Sequence, residues 1–188
     1  MRKLIVFNNV SLDGYFAGVN GDISWVHKDR RDEEWESFVA DNARGGGTLL
    51  FGRVTYELMA AYWPTPEAAR DFPEVAGQMN GLPKIVFSRT LAHAAWSNAT
   101  VVKRPLIAEV RELKNAPGAE MVILGSGSIV AQLAPENLID EYQLVVNPVV
   151  LGKGRTMFEG LKTLLRLRLT KTRAFSNGNV LLCYAPAL

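Results

Sequence analysis

Short apolar, β-branched runs alternate with stretches of helical period along nearly the whole chain, and this alternation limits the fold more than any other feature. Lys3 to Val10 opens the series as a buried strand, and Ser11 to Ser24, with Gly14, Gly18 and Gly21, follows as a long loop. Asp32 to Ala43 puts Trp35, Phe38, Val39 and Ala43 on one helical face, with acidic residues in the first turn where the helix dipole favours them. Thr48 to Phe51 is a strand, a helix extends to Ala61, and a weaker helix is expected over Glu67 to Met79. Lys84 to Ser88, Thr100 to Lys103 and Met121 to Leu124 are further strands, with a helix from Pro105 to Lys114 between the last two. Ile129 to Leu133 is helical, and Ile139 to Val146 is apolar with little relief, as in a strand covered on both faces. Leu165, Leu167 and Leu169 then alternate with polar residues, and the turn Ser176-Asn177-Gly178-Asn179 leads into Val180 to Tyr184, the pattern of a hairpin. The expected fold is a three-layer α/β/α domain with a mainly parallel central sheet and an antiparallel C-terminal hairpin.

The 188 residues fit one domain spanning 1–188, and 48% hydrophobic content is enough for a core without metal or disulfide support. Twenty-one basic residues nearly balance 19 acidic ones in a net charge of +2, which argues against a nucleic-acid binder. The single cysteine, Cys183, fits a reducing compartment, and one Cys with two His makes a structural zinc site implausible. No window approaches the apolar length of a membrane span or a signal peptide, so a cytoplasmic protein with no membrane partner is expected.

Two junctions share one physical design. Thr48-Leu49-Leu50-Phe51-Gly52-Arg53-Val54-Thr55 runs strand, glycine, helix start, and Val122-Ile123-Leu124-Gly125-Ser126-Gly127-Ser128-Ile129 repeats it. In a parallel sheet both open at the carboxyl edge, where ligands bind. A helix start offers free N–H groups, and glycine allows a phosphate close to the backbone. A glycine that merely ends its strand would account for either junction alone; the two together, with Arg53 adding charge, suit the pyrophosphate of a dinucleotide. Ser88-Arg89-Thr90 closes another strand with an arginine able to hold a ribose 2′-phosphate through paired hydrogen bonds. The stretch Gly125-Ser126-Gly127 is neither a Rossmann fingerprint nor a P-loop, and Ser126 and Ser128 lack the context of a hydrolase nucleophile. His27 and His93 have no motif partners and read as surface residues, the four tryptophans read as core or pocket wall, and one of Asp13, Asp22, Glu33 and Glu36 is a candidate functional carboxylate.

The order of motifs carries a family resemblance. Ser11-Leu12-Asp13-Gly14-Tyr15-Phe16-Ala17-Gly18 is followed by Gly21-Asp22-Ile23-Ser24-Trp25, an acidic aromatic helix, and Gly52-Arg53-Val54-Thr55-Tyr56-Glu57. Val86-Phe87-Ser88-Arg89-Thr90-Leu91, Leu124-Gly125-Ser126-Gly127-Ser128, Leu138-Ile139-Asp140-Glu141 and Pro148-Val149-Val150-Leu151-Gly152 complete the series. The chain resembles the dihydrofolate reductase superfamily and, within it, the bacterial proteins grouped with the C-terminal reductase domain of the riboflavin-biosynthesis enzyme RibD. The resemblance implies a dihydrofolate-reductase-like fold, NADPH as hydride donor, a small-molecule substrate and a homodimer. Carried over by position, it sets Ala17 near the nicotinamide under a loop from Gly18 to Asp22. It gives Gly52, Arg53 and Thr55 the phosphates on one side, Ser88 and Arg89 the 2′-phosphate, and Gly125, Ser126, Gly127, Ser128 and Ile129 the pyrophosphate and nicotinamide ribose on the other. Glu36 is the implied catalytic carboxylate, with Glu33 competing.

The chain departs from the family in three places. Ser126 stands where relatives carry the second glycine of a pair joined by a cis bond, Leu124 where riboflavin reductases carry a Glu, and Met59 where they carry an Asp. The implied activity is that of an NADPH-dependent oxidoreductase acting on a small heterocyclic or imine substrate, most like 5-amino-6-(5-phosphoribosylamino)uracil reductase. Dihydrofolate reduction and a non-catalytic nucleotide-binding module are the alternatives.

Overall fold

The computed structural model describes residues 1–27 and 32–187. Among the described residues ten strands form, β1 (Leu4–Ser11), β2 (Tyr15–Ala17), β3 (Thr48–Gly52), β4 (Lys84–Phe87), β5 (Ala99–Val102), β6 (Met121–Leu124), β7 (Glu141–Asn147), β8 (Arg155–Thr156), β9 (Leu167–Ala174) and β10 (Val180–Pro186). The helices are α1 (Glu33–Arg44), α2 (Arg53–Tyr62), α3 (Pro66–Asp71), α4 (Pro73–Gly81), α5 (Leu106–Asn115) and α6 (Gly127–Leu133). Eight strands make one sheet in the order β5-β4-β3-β6-β1-β7-β10-β9, while β2 and β8 pair separately. The strands from β5 to β7 pair in parallel, and β10 joins β7 and β9 antiparallel. The three-layer arrangement and the antiparallel C-terminal hairpin are therefore as the sequence pattern predicts.

Alternation along the strands assigns each face. Leu4 and Val6 of β1, Leu50 of β3, Met121 and Ile123 of β6 and Tyr142 of β7 turn to one side, where Val110 of α5 and Ile129, Val130 and Leu133 of α6 cover them. The other face carries two separate clusters. Leu49, Phe51 and Val86 lie with Tyr56 of α2, Met79 of α4 and Trp96, whereas Val145, Leu181, Cys183 and Phe175 lie under Trp35 and Phe38 of α1. Between these clusters Ile5, Phe7, Val122 and Leu124 of the central strands line an open cleft.

Several elements differ from the sequence expectation for local reasons. The single helix expected over Glu67 to Met79 is two helices, because Pro73 cannot continue α3 and instead starts α4. The loop after β1 contains β2, whose partner β8 was not foreseen; both are too short for a periodicity signal. In the hairpin only Gly178 takes a positive φ (+88°), and the Phe175 N–H donates to the Asn179 carbonyl at 2.9 Å, so the connection is a three-residue loop rather than a two-residue turn. β7 is apolar because it lies inside the sheet between β1 and β10.

Two buried lysines sit outside the cleft floor. Lys84 Nζ donates to the carbonyls of Leu82 (2.8 Å), Ser97 (3.0 Å) and Asn80 (3.2 Å) and lies 4.4 Å from the centre of the Trp96 ring. Lys114 pairs with Asp140, whose carboxylate also accepts the Leu4 N–H, and so ties α5 to the start of β1. Among the described residues, no helix is long and apolar enough to cross a membrane.

Candidate functional site

The carboxyl ends of the parallel strands open onto a cleft of about 2900 Å³. A pocket for one small ligand is typically about 300–1000 Å³, so this cleft can seat a dinucleotide and a second ligand together. All of Ala17, Gly52, Arg53, Thr55, Ser88, Arg89, Gly125, Ser126, Gly127, Ser128, Ile129 and Glu36 line it. The fold thus gathers these residues around one opening, with Asp22 and Glu33 also in its lining and Asp13 outside it.

The two glycine junctions are joined by direct hydrogen bonds. The Gly52 N–H donates to Ser126 Oγ at 2.9 Å, and the Ser126 N–H donates to Thr55 Oγ1 at 3.1 Å. Gly125 and Ser126 both occupy the left-handed region (φ +59° and +55°), and no cis peptide occurs among the described residues. A Cβ on Gly125 would stand 2.8 Å from Thr55 Cγ2, and one on Gly127 would stand 3.1 Å from the Phe16 ring. These glycines serve first to let α2, α6 and β2 approach one another.

Side-chain caps are present on α1 and α3 and absent from α2, α4, α5 and α6. α1 is capped by Asp32, which accepts the Trp35 N–H, and α3 by Thr65, which accepts the Ala68 N–H. α2 and α6 begin at Gly52 and Ser126 without any side-chain cap. The uncapped N–H groups at the start of α2 are a fitting partner for an anion.

Charge is distributed unevenly along the cleft. Arg53 pairs with Glu57 one turn along α2, at 2.8 Å and in the open, whereas Arg89, Lys103 and Arg155 carry no carboxylate partner among the described residues. Ser88 Oγ accepts the Thr90 and Leu91 N–H groups and so shapes the turn that presents Arg89. Arg155, paired across β8 with Ala17, was missed by the sequence reading because its strand is two residues long. Glu33 and Glu36 lie on the opposite wall, on α1, and both are exposed.

Buried polar groups hold these parts in place. Asn8, 5% exposed, grips Gly125 from both sides, its Oδ1 accepting the Gly125 N–H (2.6 Å) and its Nδ2 donating to the Gly125 carbonyl (3.3 Å). Asp32 accepts the Ser176 hydroxyl at 2.7 Å and the Asn177 N–H at 2.9 Å, locking the start of α1 to the β9–β10 loop. The Ser176 hydroxyl, followed by the backbone N–H groups, holds its carboxyl below the usual carboxylate range. Asp13 is lowered likewise, first by Ser11 and then by the Gly152 and Leu151 N–H groups. The Asn8–Gly125 and Asp32–Ser176 partnerships carry no local motif, since the partners are distant in sequence.

The other candidates fall as structural groups. Leu124 and Met59 line the cleft, and Met59 Sδ accepts the Trp63 indole N–H at 3.2 Å. Trp25, Trp35 and Trp63 are cleft wall, Trp96 is core, and His93 is exposed; the side chain of His27 lies outside the described residues.

Comparison with known proteins agrees with this fold. Residues 2–181 match the family described as the RibD C-terminal domain. The chain belongs to that family. It is 31% identical over 183 residues to the uncharacterized protein YyaP of Bacillus subtilis (strain 168), covering 97% of this chain and 94% of the relative. Among solved structures, a putative riboflavin biosynthesis protein from Shewanella sp. PV-4 superposes with a TM-score of 0.74 at 23% identity, covering 99% of both chains. Dihydrofolate reductase from Enterococcus faecalis, solved with NADP(H), superposes with a TM-score of 0.66 at 15% identity over 99% of this chain and 97% of that one. The fold of this RibD C-terminal domain family member is dihydrofolate-reductase-like.

Proposed function

We propose that this protein is an NADPH-dependent reductase that passes a hydride to a small, flat heterocyclic or imine substrate. The observation that carries the reading is the linkage of two uncapped helix starts through Gly52, Ser126 and Thr55 at the carboxyl edge of a parallel sheet. Membership of the RibD C-terminal domain family, and the NADP(H) bound by the dihydrofolate reductase of similar fold, support it.

The chain's own residues would do the following. Backbone N–H groups at the start of α2 and along Gly127 and Ser128 hold the pyrophosphate, aided by Thr55 and Ile129 around it. Arg53 and Arg89 take the 2′-phosphate, with Ser88 fixing the turn. Ala17, 5% exposed, backs the nicotinamide, and the loop from Gly18 to Asp22, closed by the Gly18 N–H on the Asp22 carbonyl at 2.8 Å, shields it from water. When bound, NADPH supplies hydride from C4 of its nicotinamide. The protein contributes position and shielding, and Glu36 on α1 delivers a proton directly or through water.

A second reading, a nucleotide-binding module without turnover, draws on the apolar side chains of Leu124 and Met59 in the cleft. Titration with NADPH and with NADH, followed by tryptophan quenching, tests the cofactor; Trp25, Trp35 and Trp63 line the cleft and report on it. NADPH-selective binding with oxidation of NADPH by a pterin or pyrimidine acceptor supports the reductase. Selective binding without turnover over a broad panel favours the module, and no binding of either nucleotide overturns both. We also read the protein as a cytoplasmic homodimer on the family resemblance; sedimentation at 20.7 kDa, the mass of one chain, would reject the dimer.

A further inference from the structure

On the α1 side of the cleft the sheet presents amides instead of charges. Alternation along β1 turns Asn9 to the same face as Phe7, and β7 turns Gln143 and Asn147 to the same face as Val145; all three line the cleft. Asn147 is 4% exposed, and its Nδ2 donates to the Val145 carbonyl (3.1 Å), the Val10 carbonyl (3.4 Å) and Asn9 Oδ1 (3.1 Å). Backbone carbonyls only accept, so these bonds fix which end of the Asn147 amide is nitrogen. The Asn147 Nδ2 then fixes Asn9 in turn, because it can be met only by an oxygen.

Two polar atoms remain. Asn9 Nδ2, a donor, and Asn147 Oδ1, an acceptor, have no hydrogen-bond partner among the described residues, and neither is a sealed buried atom. They belong to two amides already linked to each other, held rigid by the backbone of β1 and β7, on the wall opposite the junctions of Gly52 and Gly125. A rigid donor and acceptor on adjoining amides match a ring edge with a neighbouring carbonyl and N–H, and a group left unmatched there forfeits its water without replacement. Trp35 and Phe7 supply apolar surface for the ring itself.

We infer that Asn9 and Asn147 form the substrate-reading element of the cleft and select an uncharged ring bearing a lactam edge, with Asn9 Nδ2 donating to the ring carbonyl and Asn147 Oδ1 accepting the ring N–H. The inference rests on the reductase reading for the name "substrate", but the binding it describes can be measured separately. The probe is lumazine, compared with its dimethyl derivative in which both ring N–H groups are methylated, titrated by fluorescence at pH 6.5 with and without NADPH. Wild type is expected to bind lumazine at least tenfold more tightly than the dimethyl compound. Asn9→Leu is expected to lose about tenfold for lumazine, little for the dimethyl compound, and none of the NADPH affinity. If Asn9→Leu does not fold, as judged by its thermal transition, Asn9→Ser is measured instead.

Equal binding of the two probes by wild type, binding of neither, or discrimination that survives in the Asn9 variant overturns the inference. Failure to bind NADPH with lumazine discrimination intact overturns the cofactor reading and leaves the amide site standing.

Discussion

Ser126 Oγ accepts the Gly52 backbone N–H at 2.9 Å, so a single hydroxyl joins two strand–glycine–helix junctions that are 74 residues apart in the chain. The same residue uses its own N–H to reach Thr55, and its left-handed backbone aims both groups at α2. Ser126→Ala removes the hydroxyl and keeps the strained φ, whereas Ser126→Gly removes both. Loss of the hydrogen bond costs about 1 kcal/mol, and a left-handed residue other than glycine about 1–2 kcal/mol more. Chemical denaturation is therefore expected to place Ser126→Ala about 1 kcal/mol below wild type and Ser126→Gly at or above wild type, with both variants binding NADPH several-fold more weakly. Full NADPH affinity in Ser126→Ala would show that the bridge does not shape the cofactor site.

Gly125 tests the closeness of the same two elements. Its φ of +59° and the 2.8 Å that a Cβ would leave to Thr55 Cγ2 both oppose any side chain. Gly125→Ala is expected to destabilise by about 2–4 kcal/mol, the sum of a left-handed penalty and an overpacked contact. A companion Thr55→Ser, which keeps the hydroxyl and removes Cγ2, is expected to recover part of that loss in the double variant. An additive double variant would place the cost elsewhere than in this contact.

Arg53, the first residue of α2, and Arg89, just after β4, are the proposed partners of the 2′-phosphate. The exposed ion pair of Arg53 with Glu57 is worth only about 0.3–0.5 kcal/mol, so the guanidinium can exchange it for a phosphate at little cost. Replacing both arginines with Ala is expected to lower NADPH affinity roughly 10- to 100-fold and leave NADH affinity unchanged, as removal of charge-assisted bonds to one phosphate requires. Titration of the double variant with both nucleotides checks this, and an unchanged preference for NADPH sinks the assignment.

The junctions were legible because their signal is local: an apolar run, a glycine and a helix start lie within eight residues. The mainly parallel sheet and the antiparallel hairpin followed from periodicity in the same way, whereas the order of the strands did not. Asn8, Asn9 and Asn147 were not legible, because their roles depend on register. Asn8 meets Gly125 only because β1 lies beside β6, and Asn9 meets Asn147 only because β7 flanks the other edge of β1. A short polar residue inside an apolar strand looks like an interruption until its neighbour is known. Arg155 was hidden for a related reason, its strand being defined by pairing with β2 rather than by any pattern of its own. Pro73 was a visible signal that the expectation of one helix over Glu67 to Met79 overlooked.

Lys84 offers a test of the core that is independent of the cleft. It is 1% exposed, and burial lowers its pKa from 10.5 to about 8. Between those values the unfolded chain keeps the proton that the folded protein has released, so the unfolded state binds more protons and stability from this group rises with pH. Below about 8 both states are protonated and the folded protein bears the full cost of a buried ammonium, eased by its three carbonyl partners. Lys84→Met has no such titration. The urea midpoint of wild type relative to Lys84→Met is therefore expected to climb between pH 7.5 and 10.5, by up to about 3 kcal/mol in stability. A difference that stays flat or falls over that window would mean that the carbonyls and the Trp96 ring hold the ammonium charged in the folded state throughout.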